Sequence, residues 1–147
     1  MIFSKDLLFL HAPKTGGMSI TELLLDVLPR PVFYTDPEAQ PEERREGVVH
    51  RVGIRHEGLE EARDVVAREG FTLNGFPAIL VVLRNPYALE VSRYAYLRAG
   101  HPWDFGHDQT LALTRDCATF IRSARGSPDL SRYFFLGREV PRNLRVI

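Results

Sequence analysis

The sequence predicts an α/β fold, a central parallel sheet flanked by helices, on three observations. Residues 7–12 (LLFLHA) and 78–83 (AILVVL) are continuously apolar runs, the pattern of strands buried on both faces. Each run breaks at a polar turn. Each turn leads into a stretch with helical periodicity, and apolar strands alternating with helices argue for a parallel sheet. At 147 residues the chain has the length of one domain, 1–147, large enough for a core.

Taken in order, the first strand covers residues 7–12. Met18 to Leu28 reads as a helix: Ile20, Leu23, Leu24, Val27 and Leu28 recur at three- and four-residue spacing, and Pro29 stops it. Residues 29–46 hold four prolines and a charge cluster, the composition of a surface loop. Gly47–Ile54 reads as a second strand. Leu59–Glu69 is a helix closed by Gly70, with Leu59, Ala62, Arg63 and Val66 on its face. After the strand Ala78–Leu83, Pro86 suits the first turn of a helix over Tyr87–Arg98, with Val91, Tyr94 and Ala95 inward. Gly100–His107 is a loop rich in Gly, Pro and aromatics. Gln109–Ala124 is a further helix, burying Leu113, Cys117, Phe120 and Ile121, and Arg125–Pro128 is a turn. Leu130–Leu136 is an aromatic segment without a clear period, and Leu144–Ile147 begins another strand.

Composition sets limits on function. Hydrophobic residues make up 44% and charged residues 26%, ordinary for a soluble globular domain. Basic and acidic residues balance at 19 each, so no global field draws the chain to nucleic acid or anionic lipid, and any anion site is local. The single cysteine, Cys117, rules out an internal disulfide and a cysteine-rich metal site. No apolar run approaches the roughly 20 residues of a membrane span, and nothing resembles a signal peptide. A cytoplasmic location is the expectation.

Two segments read as phosphate grips, Leu7–Ser19 (LLFLHAPKTGGMS) and Ala78–Tyr94 (AILVVLRNPYALEVSRY). A strand, a tight turn and a helix N-terminus direct backbone N–H groups and the positive end of a helix dipole at one spot. The first turn adds Lys14 and the pair Gly16 and Gly17; the second adds Arg84 and, eight residues on, Ser92. Two such sites suggest a ligand phosphorylated at two places.

On these residues the chain resembles the sulfotransferases that use 3′-phosphoadenosine 5′-phosphosulfate (PAPS). PKTGGMS before a helix resembles the family's 5′-phosphosulfate loop, and RNPYALEVS its 3′-phosphate motif. The HAPKTGG form is closer to the carbohydrate and bacterial branches than to the cytosolic small-molecule branch. The resemblance implies a P-loop-like three-layer fold, PAPS as sulfate donor, no metal, and a hydroxyl of a carbohydrate or other metabolite as acceptor. It assigns donor binding to Pro13, Lys14, Thr15, Gly16, Gly17, Met18, Ser19, Arg84 and Ser92. Lys14 then stabilises charge on the bridging oxygen as the S–O bond breaks, the glycines allow close backbone approach, and Arg84 forks onto the 3′-phosphate. Met18 departs from the family, which usually has a hydroxyl residue there. The loss is one donor to a charged group, about 1.5–3 kcal/mol. NLRVI resembles a later core strand that is usually followed by further residues, so the expectation is either a fragment or a naturally short version of the domain, with a fragment favoured.

The base is sought among five histidines, since imidazole takes a proton from a hydroxyl near neutrality. In RVGIRHEGLEEAR, His56 before a helix resembles a Lys-His or Arg-His element whose histidine is the base, with Arg55 then a substrate or sulfate contact. His50 and Glu57 are rivals, and a solvated helix-cap role for His56 is the plain alternative. His11 is read as orienting the loop from the strand end. His101 and His107 share a loop with Trp103 and Phe105 that would cover the acceptor. Tyr94 and Tyr96 either line the acceptor pocket or belong to the core.

Other classes fit less well. GxxxxGK[ST] needs its lysine after the glycines, whereas Lys14 precedes them, and Arg84 stands where a Walker-B acid would. GxGxxG and HExxH are absent. The serious rival is a PAPS- or adenosine 3′,5′-bisphosphate-binding remnant without turnover.

Overall fold

The computed structural model describes residues 1–36, 45–101, 106–125 and 129–147. The predicted features at 37–44, at Trp103 and Phe105, and at 126–128 lie outside the described residues. The described residues form a mixed α/β chain with six strands in one sheet and five helices. The strands are β1 (Ile2–Ser4), β2 (Leu7–Leu10), β3 (Val32–Asp36), β4 (Val48–Val52), β5 (Ile79–Val81) and β6 (Leu144–Val146), in the order β4-β3-β1-β2-β5-β6. The helices are α1 (Gly17–Val27), α2 (Leu59–Arg68), α3 (Pro86–Arg98), α4 (Gly106–Thr114) and α5 (Cys117–Ser123). Contacts divide the chain into two compact units, Met1–Leu83 with Leu130–Ile147, and Arg84–Asp129.

In the first unit the two-residue side-chain period of the strands builds two apolar layers. Phe3, Leu8, Leu10, Phe33, Ile79 and Val81 face α2, packing with Leu59, Ala62 and Val66. The alternate residues Ile2, Phe9, Val32 and Tyr34 face α1, packing with Leu24 and Leu25. The sheet is thus covered on both faces, which explains the unbroken apolarity of LLFL and ILV.

Two features of the sheet correct the sequence reading. β1, which precedes the first predicted strand, runs antiparallel to both its neighbours β2 and β3, so the sheet is mostly rather than wholly parallel. Three residues at the start of the chain are too few to show a period. Secondly, the predicted loop 29–46 contains β3, every residue of which is buried. The surrounding prolines and charges masked VFYTD, a run of β-branched and aromatic residues with high strand propensity.

α1, α2 and α3 keep their predicted places but not all their faces, and α4 starts at Gly106, within the predicted loop 100–107. α1 starts at Gly17 and buries Gly17, Thr21, Leu24 and Leu25, leaving Leu23 and Val27 at 59% and 63% exposure. Its small residues Gly17 and Thr21 define the stripe against the sheet, which a search for large apolar residues passes over. On α2, Leu59, Ala62 and Val66 are buried as predicted and Arg63 is exposed, paired with Glu60.

In the second unit, α3 buries Leu89, Arg93 and Leu97; of the residues predicted inward, Tyr94 is half-buried against Phe120, while Val91 and Ala95 are exposed. The predicted helix 109–124 is two helices. Asp116 starts α5 by accepting a hydrogen bond from the Thr119 N–H at 2.7 Å, and an Asp at such a position ends one helix and caps the next. Phe120 is buried with Leu97 and Ala112, while Leu113 and Ile121 are exposed. Arg93, 1% exposed, is neutralised by Glu90 and Asp108 and lies 4.8 Å over the Phe120 ring. No helix among the described residues is long and apolar enough to cross a membrane.

Candidate functional site

The antiparallel β1 hides a simple order: β2 to β6 all run the same way. From β2 the chain moves to β3 and β4 on one side of the sheet, and from β5 it moves to β6 on the other. The order therefore reverses between β2 and β5. In open α/β sheets such a reversal, at the carboxyl ends of the strands, is where ligands bind. β2 and β5 are adjacent, in register from Leu8↔Ile79 to Leu10↔Val81, and they are the two strands that lead into the predicted grips.

The loop after β2 is tightly bent. Lys14 has φ 61°, the one non-glycine residue with positive φ among the described residues, and Gly16 follows with φ 84°. A left-handed lysine costs on the order of 1 kcal/mol or more, the kind of strain that clusters at ligand clamps. Thr15 Oγ1 donates to the Ala12 carbonyl at 2.8 Å, which spends its hydroxyl proton on closing the loop. Pro13 is buried, Ser19 is exposed, and Met18 is 47% exposed.

Gly16 is the N-cap of α1, so no side chain caps the helix, and the first turn carries no acidic residue. The other helix starts whose caps are described are already compensated. Glu61 accepts from the Gly58 N–H at α2, and Asn85 Oδ1 accepts from the Tyr87 and Ala88 N–H groups at α3. Asp116 caps α5. The first turn of α1 therefore offers N–H groups and a positive dipole end with no side-chain acceptor of its own. The second grip differs from the sequence expectation here. The helix N–H groups of Tyr87 and Ala88 go to Asn85, while Arg84 is exposed and Ser92 half-buried.

His56 lies in the turn after β4 and reaches the end of β2. Its Nδ1 is 2.9 Å from the His11 carbonyl oxygen. A carbonyl only accepts, so Nδ1 carries the proton and the lone pair is on Nε2. The rings of His11 and His56 meet edge to face at 4.8 Å. Burial pushes His56 below the ordinary imidazole value; its bond to His11 opposes this, and the Met1 ammonium, Arg55 and Arg132 add to it. Burial, with His56 and the Met1 ammonium, pushes His11 down to about 3. Both rings are neutral near pH 7.

The neighbours of His56 pin its turn. Arg55 Nε donates to Asp36 Oδ2 at 3.0 Å, and the Tyr34 hydroxyl donates to the same oxygen at 2.8 Å. Glu57 is buried, accepts from Thr35 Oγ1 at 2.8 Å and the Ile54 N–H at 3.2 Å, and lies 3.9 Å from the Met1 ammonium. The Tyr133 hydroxyl donates to the His56 carbonyl at 3.1 Å. Of the three candidates for base, Glu57 is thus committed to the fold. His50 sits within β4, 5.7 Å from the Tyr34 ring, with both ring nitrogens buried and without a hydrogen-bond partner. His56 is the one held beside the loop after β2. His101 stacks on Tyr96 at 4.6 Å, and the Tyr94 hydroxyl donates to the Arg115 carbonyl.

Sequence reasoning missed Thr35, Asp36, Tyr133 and the His11 carbonyl, all of which position the His56 turn across long sequence separations. No cluster of metal-ligating side chains occurs among the described residues. Comparison with protein-family models, curated proteins and solved structures gives no match for this chain.

Proposed function

We propose that this chain is a P-loop-like, PAPS-dependent sulfotransferase domain that transfers a sulfuryl group to a hydroxyl of a carbohydrate or other metabolite. The observation that carries the reading is the reversal of strand order between β2 and β5, because the two predicted grips follow those two strands. The uncapped start of α1, the left-handed Lys14 and the Nδ1–H form of His56 support it further.

In this reading the first turn of α1 and Lys14 hold the 5′-phosphosulfate, and Arg84 with Ser92 takes the 3′-phosphate. The acceptor oxygen attacks sulfur while its proton passes to His56 Nε2. The S–O bond to the phosphate breaks, and its electron pair stays on the phosphate oxygen, where Lys14 and the helix dipole stabilise the charge. The products are the sulfate ester and adenosine 3′,5′-bisphosphate. Catalysis is then positioning and electrostatics, as in phosphoryl transfer.

Incubation with radiolabelled PAPS and a panel of hydroxylated acceptors tests the reading. Label transferred to an acceptor, and lost in Lys14→Ala, is expected. Nucleotide binding without transfer to any acceptor would favour the non-catalytic binding module, for which the missing hydroxyl at Met18 is the motive.

A further inference from the structure

We propose that His11 is a positioning residue that couples the donor loop to the base, its ring packed against both Gly17 and His56. The functional consequence rests on the sulfotransferase reading; the coupling itself rests on geometry.

A Cβ on Gly17 would stand 1.9 Å from His11 Cδ2 and 2.2 Å from Nε2. Gly16, by contrast, has nothing within 4 Å of a Cβ and is fixed by its φ alone. The glycine at the first residue of α1 is therefore shaped by the histidine, not only by an approaching phosphate. The same His11 ring also meets the His56 ring, centroid to centroid at 4.8 Å and nearly perpendicular, and the His11 carbonyl fixes the His56 tautomer. His11 is 5% exposed and uncharged near neutrality, so its ring adds no competing positive charge beside the base. Close-packed interiors pass small displacements on rather than absorbing them. A phosphosulfate that draws in the first turn of α1 thus moves the His11 ring and, through it, His56. Donor binding and setting of the base become one event.

Nitrogen NMR of the imidazole rings in the full chain tests this without any transfer assay. In the unsubstituted protein His56 is expected as the Nδ1–H tautomer. Gly17→Ala is expected to displace His11 and shift the His56 ring signals, although residue 17 is not itself in contact through a hydrogen bond with His56. The double variant Gly17→Ala/His11→Ala is expected to melt at a higher temperature than Gly17→Ala alone, because removing the ring makes room for the methyl. His56 signals unmoved in a folded Gly17→Ala chain, or a double variant no more stable than Gly17→Ala, would overturn the coupling.

Adenosine 3′,5′-bisphosphate supplies the second arm. It is expected to move the His56 signals in the unsubstituted protein and to leave them in place in His11→Ala. Calorimetric binding with His56 unmoved sinks the coupling and leaves the sulfotransferase reading standing. Failure of the nucleotide to bind sinks that reading, while the Gly17→Ala comparisons still decide the coupling.

Discussion

The proton on His56 Nδ1 is held by the His11 carbonyl, which leaves the lone pair on Nε2, the atom that takes the hydroxyl proton in the proposed transfer. Replacing His56 with Gln is expected to reduce transfer by about a hundredfold or more while nucleotide affinity stays within about twofold. Near-normal turnover in that variant would move the role elsewhere. The pH dependence follows from the same surroundings. His56 is pushed below the ordinary imidazole value, so the base form persists through neutrality, and the transfer rate is expected to fall only as pH drops through that lowered value. Stability follows His11. Its folded value of about 3 lies below that of an exposed imidazole, so the unfolded chain takes up the proton first. Stability is therefore fully present above about pH 6.5 and falls towards pH 3, by on the order of several kcal/mol. Denaturant unfolding across that range checks it, and His11→Phe is expected to flatten the slope. Lys14, the glycines and the candidacy of His56 were visible in the sequence. The choice between His56 and Glu57 was not, because it depends on Thr35, His11 and the Met1 amine, contacts that no local pattern encodes.

At the scale of elements, long periodic segments and strong punctuation were legible and small or charged interface residues were not. LLFL, ILV and the α2 stripe were found because large apolar residues marked them. α1 was placed but turned, since Gly17 and Thr21 face the sheet while Leu23 and Val27 face outward. α3 was turned for a related reason: the centre of its buried stripe is Arg93, a residue type rarely buried unless paired. Its pairing predicts a large effect. Arg93→Ala is expected to destabilise the chain by about 3–5 kcal/mol, because the change removes the buried guanidinium that pairs with both Asp108 and Glu90. Thermal unfolding monitored by circular dichroism measures this. A shift no larger than that of an exposed helix substitution would contradict the assigned role. At the other grip, Asn85→Ala is expected to cost about 1 kcal/mol by releasing the Tyr87 and Ala88 N–H groups.

Across the whole molecule, the alternation of strands and helices gave the α/β class, but the strand order could not be read from it. β1 and β3 were invisible, one too short and the other set among prolines, and without them the reversal between β2 and β5 has no meaning. With them, the C-terminal ends of β2, β3 and β4 carry His11, Asp36 and the His56 turn to one edge of the sheet. The proposed sulfotransferase reading draws on the two motifs and on the reversal of strand order, and its central claim is that the chain binds a bisphosphorylated nucleotide. Calorimetric titration of the intact chain with adenosine 3′,5′-bisphosphate tests that claim most directly. One saturable site is predicted, weakened about tenfold or more by Lys14→Ala and, separately, by Arg84→Ala, the loss of one charged hydrogen-bonding group in each case. No binding by the unsubstituted chain, or binding indifferent to both substitutions, would contradict the account.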